Sequence, residues 1–250
     1  MHYDRPIVLS IGGFDPTGGA GVLADVKTME QNGCLGMAVL SATTIQTENE
    51  CLSIQWFSAQ EIIDQLTPLM NMYSINVVKI GIIQDLNCLQ NILSFIFDQN
   101  PEIQVVWDPV LSASSGFVFT DSIQSTVLES ILKHITLLTP NAQEIVQLTN
   151  ETNELTASEK LATYTSVFLK GGHRSEKKGE DILFHSGEKR VFEPSTEPFY
   201  DKHGTGCILA SAIASQIAGG NSLALACENA KKYVAERSRS NIHKLAYHVA

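Results

Sequence analysis

The chain has 250 residues, 44% of them apolar and 18% charged, a balance that supports a sizeable buried core and argues against disorder. Its net charge of −10 argues against a nucleic-acid partner, which calls for a basic face, but not against small phosphorylated ligands, which backbone N–H groups can hold. The five cysteines, Cys34, Cys51, Cys88, Cys207 and Cys227, are scattered with no C-x-x-C spacing, so reduced thiols and a cytoplasmic location are expected. Residues 1–6 are polar and no spanning run follows, so no membrane partner is expected.

Residues 7–11 are a β-branched apolar run ending at Gly12-Gly13, and read as a buried strand. A glycine-rich turn leads into a helix over 22–31, with Val22, Val26 and Met29 on one face and Gly33 placed as its closing glycine. Residues 37–44 are a second strand, and 46–56 a polar, irregular flap. Ser58 and Glu61 form a capping box that opens a helix to about Met72. A strand over 77–80 follows, then a helix over 86–98 capped by Asp85. The strand at 105–107 stops at Asp108-Pro109, and a helix spans 122–133. Residues 135–138 are a strand ending at Thr139-Pro140-Asn141, with a helix beginning over 143–148. Thr156 and Glu159 suggest a second capping box. The strand at 167–169 runs into Lys170-Gly171-Gly172, and 182–185 with 189–192 flank Ser186-Gly187-Glu188 as a hairpin. Helices over 205–218 and 223–237 close the chain. This alternation predicts an α/β fold with a mostly parallel sheet covered on both faces. No linker or repeat interrupts it, so residues 1–250 read as one domain.

Ligands of open α/β sheets bind beyond the carboxyl ends of the strands. The residues there include Gly13, Gln46, Lys79, Asp108, Asn141 and Lys170, a set that turn formation alone does not require. Gly18-Gly19-Ala20-Gly21 is either a tight turn or a place of close backbone approach. Gly19 to Ala24 fits G-x-G-x-x-A, but the loop before it is too long and the second strand lacks the acidic residue that would hold a ribose. A P-loop would need lysine where Gly19 stands.

His203-Gly204-Thr205-Gly206-Cys207 runs directly into an apolar helix. Exposed N–H groups and the helix dipole make such a start an anion hole suited to a transferring phosphoryl group. Cys207 falls in the first turn, where thiol pKa values tend to drop, although a small buried cysteine would also fit. Asn141 and Glu144 could organise hydrated Mg²⁺, or simply cap a helix. Lys170 suits a nucleotide phosphate or a solvated strand end, and Asp108 a metal partner or a turn former. No zinc spacing and no G-x-S-x-G elbow occur.

The blocks Gly13 to Gly21 with Ala24-Asp25-Val26-Lys27-Thr28, Val78-Lys79-Ile80-Gly81, Trp107-Asp108-Pro109, Thr139-Pro140-Asn141 with Glu144, Leu169-Lys170-Gly171-Gly172-His173, and His203 to Cys207 stand in one order along the chain. Together they resemble the hydroxymethylpyrimidine/phosphomethylpyrimidine kinases of thiamine biosynthesis, in the ribokinase-like superfamily. The resemblance implies a three-layer α/β/α sandwich around a central mostly parallel sheet, with ATP and Mg²⁺ as cofactors and a small pyrimidine as substrate. It implies substrate contacts from Gly13, Asp25, Gln46 and Ile82, with Cys207 at the reacting hydroxyl. Nucleotide contacts fall to Asn141, Lys170 and Thr205, and metal contacts to Asp108, Asn141 and Glu144. Catalysis is expected of Cys207, Gly204, Gly206 and Lys170, with Cys207 where many sugar kinases carry aspartate. Segment 46–56 is the expected contact of a homodimer, since relatives are commonly dimeric.

This chain departs from many relatives in having Ser114 before Ser115-Gly116, Thr47 after Gln46, and Asp201-Lys202 before His203 where Asn-Thr is more usual. A pyridoxal kinase on the same scaffold is the nearest rival. Gln46 favours the pyrimidine, since an amide can both donate to and accept from an aminopyrimidine edge. A non-catalytic nucleotide- or vitamin-binding module would not need Asp108, Asn141, Glu144 and Lys170 together, and a dinucleotide oxidoreductase ranks behind both.

Overall fold

Short apolar runs separated by helices pair side by side, as the alternation predicts. The computed structural model describes residues 4–111, 125–174, 177 and 179–249. The strands are β1 (Ile7–Phe14), β2 (Leu35–Gln46), β3 (Cys51–Trp56), β4 (Val77–Ile80), β5 (Gln104–Trp107), β6 (Leu137–Leu138), β7 (Ser166–Leu169), β8 (Asp181–His185) and β9 (Glu188–Phe192). The helices are α1 (Gly21–Gln31), α2 (Ala59–Met72), α3 (Leu86–Gln99), α4 (Ser125–Leu132), α5 (Ala142–Thr149), α6 (Glu154–Leu161), α7 (Thr205–Ala218) and α8 (Leu223–Ser238). Among the described residues they surround one nine-stranded sheet of order β3-β2-β1-β4-β5-β6-β7-β8-β9. Pairing is parallel from β2 through β7 and antiparallel at both ends.

Alternation along each strand sorts side chains between two cores. Leu9, Ile11, Val78, Ile80, Val105 and Trp107 face helices α2 to α6. Val8, Val77, Val106, Leu137 and Phe168 face α7 and α8. Helix α7 is buried along nearly its whole length, which explains why its sequence is apolar on all sides. The α/β/α expectation therefore holds.

Several local expectations need correction. Residues 46–56 are not irregular: β3 pairs antiparallel with β2, Ala42 against Trp56 and Thr44 against Ile54. No residue of β3 is buried, so its apolar signal is diluted. Strand β1 runs past Gly12-Gly13 to Phe14, and its register with β2 shifts between those glycines. Helix α6 opens one turn earlier than Thr156, because the Asn153 side chain accepts from the N–H groups of Leu155 and Thr156. Ser114 to Gly116 and the first residues of the helix expected at 122–133 lie outside the described residues. The hairpin between β8 and β9 turns at Ser186 and Gly187, both at positive φ, the geometry that two-residue hairpin loops need.

The strand order reverses at β1 and β4, and there a charge is buried. The Lys79 side chain on β4 is 1% exposed and pairs at 2.8 Å with Asp25 of α1, itself fully buried. Ser10 of β1 and Ser211 of α7 each donate to that carboxylate at 2.6 Å. Removing one partner of a buried pair leaves the other charge uncompensated. Lys79→Met is therefore expected to destabilise the fold by about 3–5 kcal/mol in urea unfolding, with Lys79→Met/Asp25→Asn milder than the single change. Equal losses in the two variants would mean that the pair is not the relevant unit.

Candidate active site

The residues singled out in the sequence gather along the carboxyl edge of the sheet. In spatial order β2, β1, β4, β5, β6 and β7 bring Gln46, Gly13, Ile82, Asp108, Asn141 and Lys170 to that edge. Gly13 and Ile82 touch: a Cβ on Gly13 would lie 2.4 Å from Ile82 Cδ1, so only glycine leaves that side chain its place. Ile82 is fixed by its backbone, whose carbonyl accepts from the Ser41 hydroxyl at 2.6 Å. Gln46 is half-buried at the end of β2, beyond the last residue of β1. Asp25 presents no surface. Its carboxylate is engaged by Ser10, Ser211 and Lys79.

The two glycine clusters dock on each other. Gly204 caps α7 at φ +80°, and a Cβ there would lie 2.0 Å from the Gly19 carbonyl oxygen. Gly21 has the same constraint, with the Gly13 carbonyl oxygen 2.2 Å from a Cβ. Asp15 ties the clusters together. It accepts from the N–H groups of Thr17 and Ala20, each at 2.9 Å, and lies 2.9 Å from His203 Nε2. Burial alone would raise the Asp15 carboxyl, but His203, Thr17 and Ala20 outweigh it and hold the pKa at about 2. Sequence reasoning assigns Asp15 no role, because its chemistry lies in a partner 188 residues away.

At the start of α7, Gly206 faces charge. A Cβ on it would lie 3.3 Å from Lys170 Nζ and 3.7 Å from Asp108 Oδ2. Lys170 donates to Asp108 Oδ1 at 2.7 Å and lies 3.6 Å from Glu144 Oε2. Burial works against the Lys170 charge, but Asp108 and Glu144 hold its pKa above the ordinary value. Burial pushes the Glu144 carboxyl up, Asp108 adds to that, and Lys170 offsets only part of it. Among the described residues two carboxylates share one ammonium here, leaving an excess of acidic groups. Asp108 Oδ2 is buried and has no hydrogen-bond partner among the described residues.

Asn141 and Glu144 form a full capping box. Asn141 Oδ1 accepts from the N–H groups of Gln143 and Glu144, and Glu144 Oε2 accepts from the Asn141 N–H at 2.7 Å. The helix-cap reading is thus realised, and the same cap aims Glu144 at Lys170.

Cys207 does not have the lowered pKa expected at a helix start. Burial pushes its thiol up to about 11; Lys79 pulls it down, while Asp25 and Asp108 push it up. Desolvation outweighs the Lys79 ammonium and the Gly21 N–H, so a neutral thiol is the resting form. Lys79 is visible in the sequence as a lysine at a strand end, but its burial between Asp25 and Cys207 depends on which face of the sheet it takes.

Residues 15–249 match the family model for phosphomethylpyrimidine kinase. The chain is 32% identical, over 92% of its length, to a hydroxymethylpyrimidine/phosphomethylpyrimidine kinase of Saccharomyces cerevisiae, and it spans 45% of that relative. A phosphomethylpyrimidine kinase structure from Clostridium difficile 630 superposes with a TM-score of 0.79 at 26% identity, over 93% of this chain and 99% of that one. A pyridoxal kinase structure from Staphylococcus aureus superposes with a TM-score of 0.80 at 22% identity, over 98% and 92% of the two chains, a likeness of fold.

The Asp15 geometry predicts a specific pH dependence. A carboxyl whose folded pKa is depressed adds stability that is complete above its unfolded value and lost as pH falls through the folded one. The Asp15 contribution should therefore be full above 3.8 and vanish as pH drops through about 2. Urea unfolding of wild type and Asp15→Asn across this acid range and up to near-neutral pH checks this. The two stability curves should converge at the acid end, and a constant gap would exclude the assignment.

Proposed function

The chain belongs to the phosphomethylpyrimidine kinase family, and on that premise we propose that it moves the γ-phosphate of ATP to the hydroxymethyl group of 4-amino-5-hydroxymethyl-2-methylpyrimidine, and then phosphorylates the monophosphate, in thiamine biosynthesis. One observation carries the reading: the anion turn at Gly204 to Gly206 faces Lys170 and Asp108 beside Cys207. Phosphoryl transfer needs alignment and charge stabilisation more than covalent chemistry. The turn's N–H groups and Lys170 are suited to hold the charge of the transferring group. Gln46, Gly13 and Ile82 would take the pyrimidine, with Asn141 and Thr205 toward the nucleotide. The continuous sheet supports reading residues 1–250 as one kinase domain.

The reading calls for Mg²⁺. The negative charge of Asp108 and Glu144, and an Asp108 Oδ2 without a hydrogen-bond partner among the described residues, fit a hydrated divalent cation, with Asn141 beside them. When bound, such an ion would neutralise charge on the nucleotide phosphates. Glu144→Gln is expected to raise the Mg²⁺ concentration needed for half-maximal rate while the pyrimidine KM stays put. An unchanged Mg²⁺ titration would remove Glu144 from the metal site.

We place the reaction in the cytoplasm, a reading supported by five free thiols. No described helix is long and apolar enough to cross a membrane. The hairpin of β2 and β3, which leaves Ile45 and Leu52 more than half exposed, is the proposed face of a homodimer.

A coupled assay with the hydroxymethylpyrimidine, its monophosphate and pyridoxal side by side tests the substrate. Turnover of both pyrimidines is expected, and a strong preference for pyridoxal would replace the reading. Cys207 is proposed to take the hydroxyl proton as its thiolate. With a thiol pKa of about 11, the thiolate fraction grows about tenfold per pH unit below that value. The kcat of wild type should therefore rise from neutral to alkaline pH. Cys207→Ala should lose about 10²–10⁴-fold, and Cys207→Asp should recover part of it with a flatter profile. A Cys207→Ala enzyme with normal kcat and the same pH profile would leave the thiol as lining.

A further inference from the structure

Lys202 stands immediately before the His203-Gly204 turn, at 6% exposure. Its ammonium has three donors and no acceptor. In this chain those donors meet three oxygens of the C-terminal segment: the Asn241 carbonyl, the His243 carbonyl, and Asn241 Oδ1 at 3.2 Å. The same segment reaches the anion turn by its backbone, since the Lys244 carbonyl accepts from the His203 N–H at 2.8 Å.

The His203–Lys244 backbone bond and the Lys202 contacts therefore join one short stretch of the turn to one short stretch of the tail. Leu245 then packs on the first glycine cluster, its Cδ2 2.7 Å from where a Cβ on Gly19 would sit. Asn241 Nδ2 donates to the Leu245 carbonyl at 2.9 Å, and Arg237 donates to the His248 carbonyl at 2.7 Å, so the segment is itself held in shape.

We propose that Lys202 is a positioning residue: its ammonium fastens residues 239–249 to the anion turn, and that segment holds the turn against the first glycine cluster. The inference rests on the kinase reading for its effect on rate, but not for its effect on structure. Lys202 does not touch the reacting atoms. It acts through the backbone of His203 and Gly204, whose conformation sets where the N–H groups of the turn point. A displaced donor loses stabilisation of the transferring group more than it loses binding of the acceptor ring.

The test compares wild type with Lys202→Ala and Lys202→Met as full chains. Hydrogen exchange at the amides of residues 204–207, read without substrate, should be faster in both variants. The kcat should fall by about tenfold or more while the pyrimidine KM stays within about twofold. Added methylammonium should restore part of the kcat of Lys202→Ala, since a small cation can re-enter the oxygen cage that the shorter side chain vacates. Should Lys202→Ala not fold, Lys202→Met decides by exchange and by the split between kcat and KM. Folded variants with wild-type exchange at 204–207 would overturn the proposal, as would a lowered Tm with unchanged kcat. A wild-type enzyme inactive on the pyrimidine would defeat the kinase reading and leave the exchange result standing.

Discussion

Lys79 carries a positive charge into the middle of the sheet, where its side chain is buried. Asp25 answers that charge, and the Ser10 and Ser211 hydroxyls donate to the same carboxylate. The four residues come from β4, α1, β1 and α7, the elements that meet where the strand order reverses. The two helices that begin at the glycine clusters are thus pinned to the sheet and to each other from below. Asp15 and His203 join the same two helix starts from above. The close approach of Gly204 to the Gly19 carbonyl is framed by both fastenings and by the side chains of Leu245 and His203 packed against Gly19.

Charge is distributed unevenly along the edge above this frame. Toward β5 and β6 the carboxylates of Asp108 and Glu144 outnumber the single ammonium of Lys170. Toward β4 the Lys79 ammonium is held in a pair but still lowers the Cys207 thiol against its burial. In the proposed reaction the first arrangement favours a cation beside the nucleotide, and the second favours a proton leaving the acceptor. The anion turn lies between them, at the positive end of α7.

The alternation of strands and helices is legible in the sequence because the parallel strands are apolar on both faces and end at recognisable residues. Asp108, Asn141, Lys170 and Gly204 to Cys207 are legible for a related reason: strand ends and helix starts are fixed in position once the alternation is known. The β3 strand is not, because none of its residues is buried and Leu52 is exposed. Thr156 misleads because its capping pattern lies one turn inside a helix that Asn153 already caps. The lowered Cys207 pKa fails as an expectation because the helix dipole can be read from sequence while burial cannot. Asp15 with His203, and Lys202 with the tail, join residues distant in sequence, and no local pattern announces them.

The order of strands also sets a length scale. From β2 to β7 the edge crosses five strand spacings, about 24 Å at roughly 4.8 Å each. In the proposed reading the ring lies near one end of that span and the nucleotide near the other, with the transferring group fixed at the Gly204 turn. A molecule that already carries one phosphate reaches the same fixed point only by stepping back toward β3 by the length of that phosphate. On that reading the room beside the β2–β3 hairpin, rather than anything on the nucleotide side, would govern whether transfer stops at one phosphate or proceeds to two.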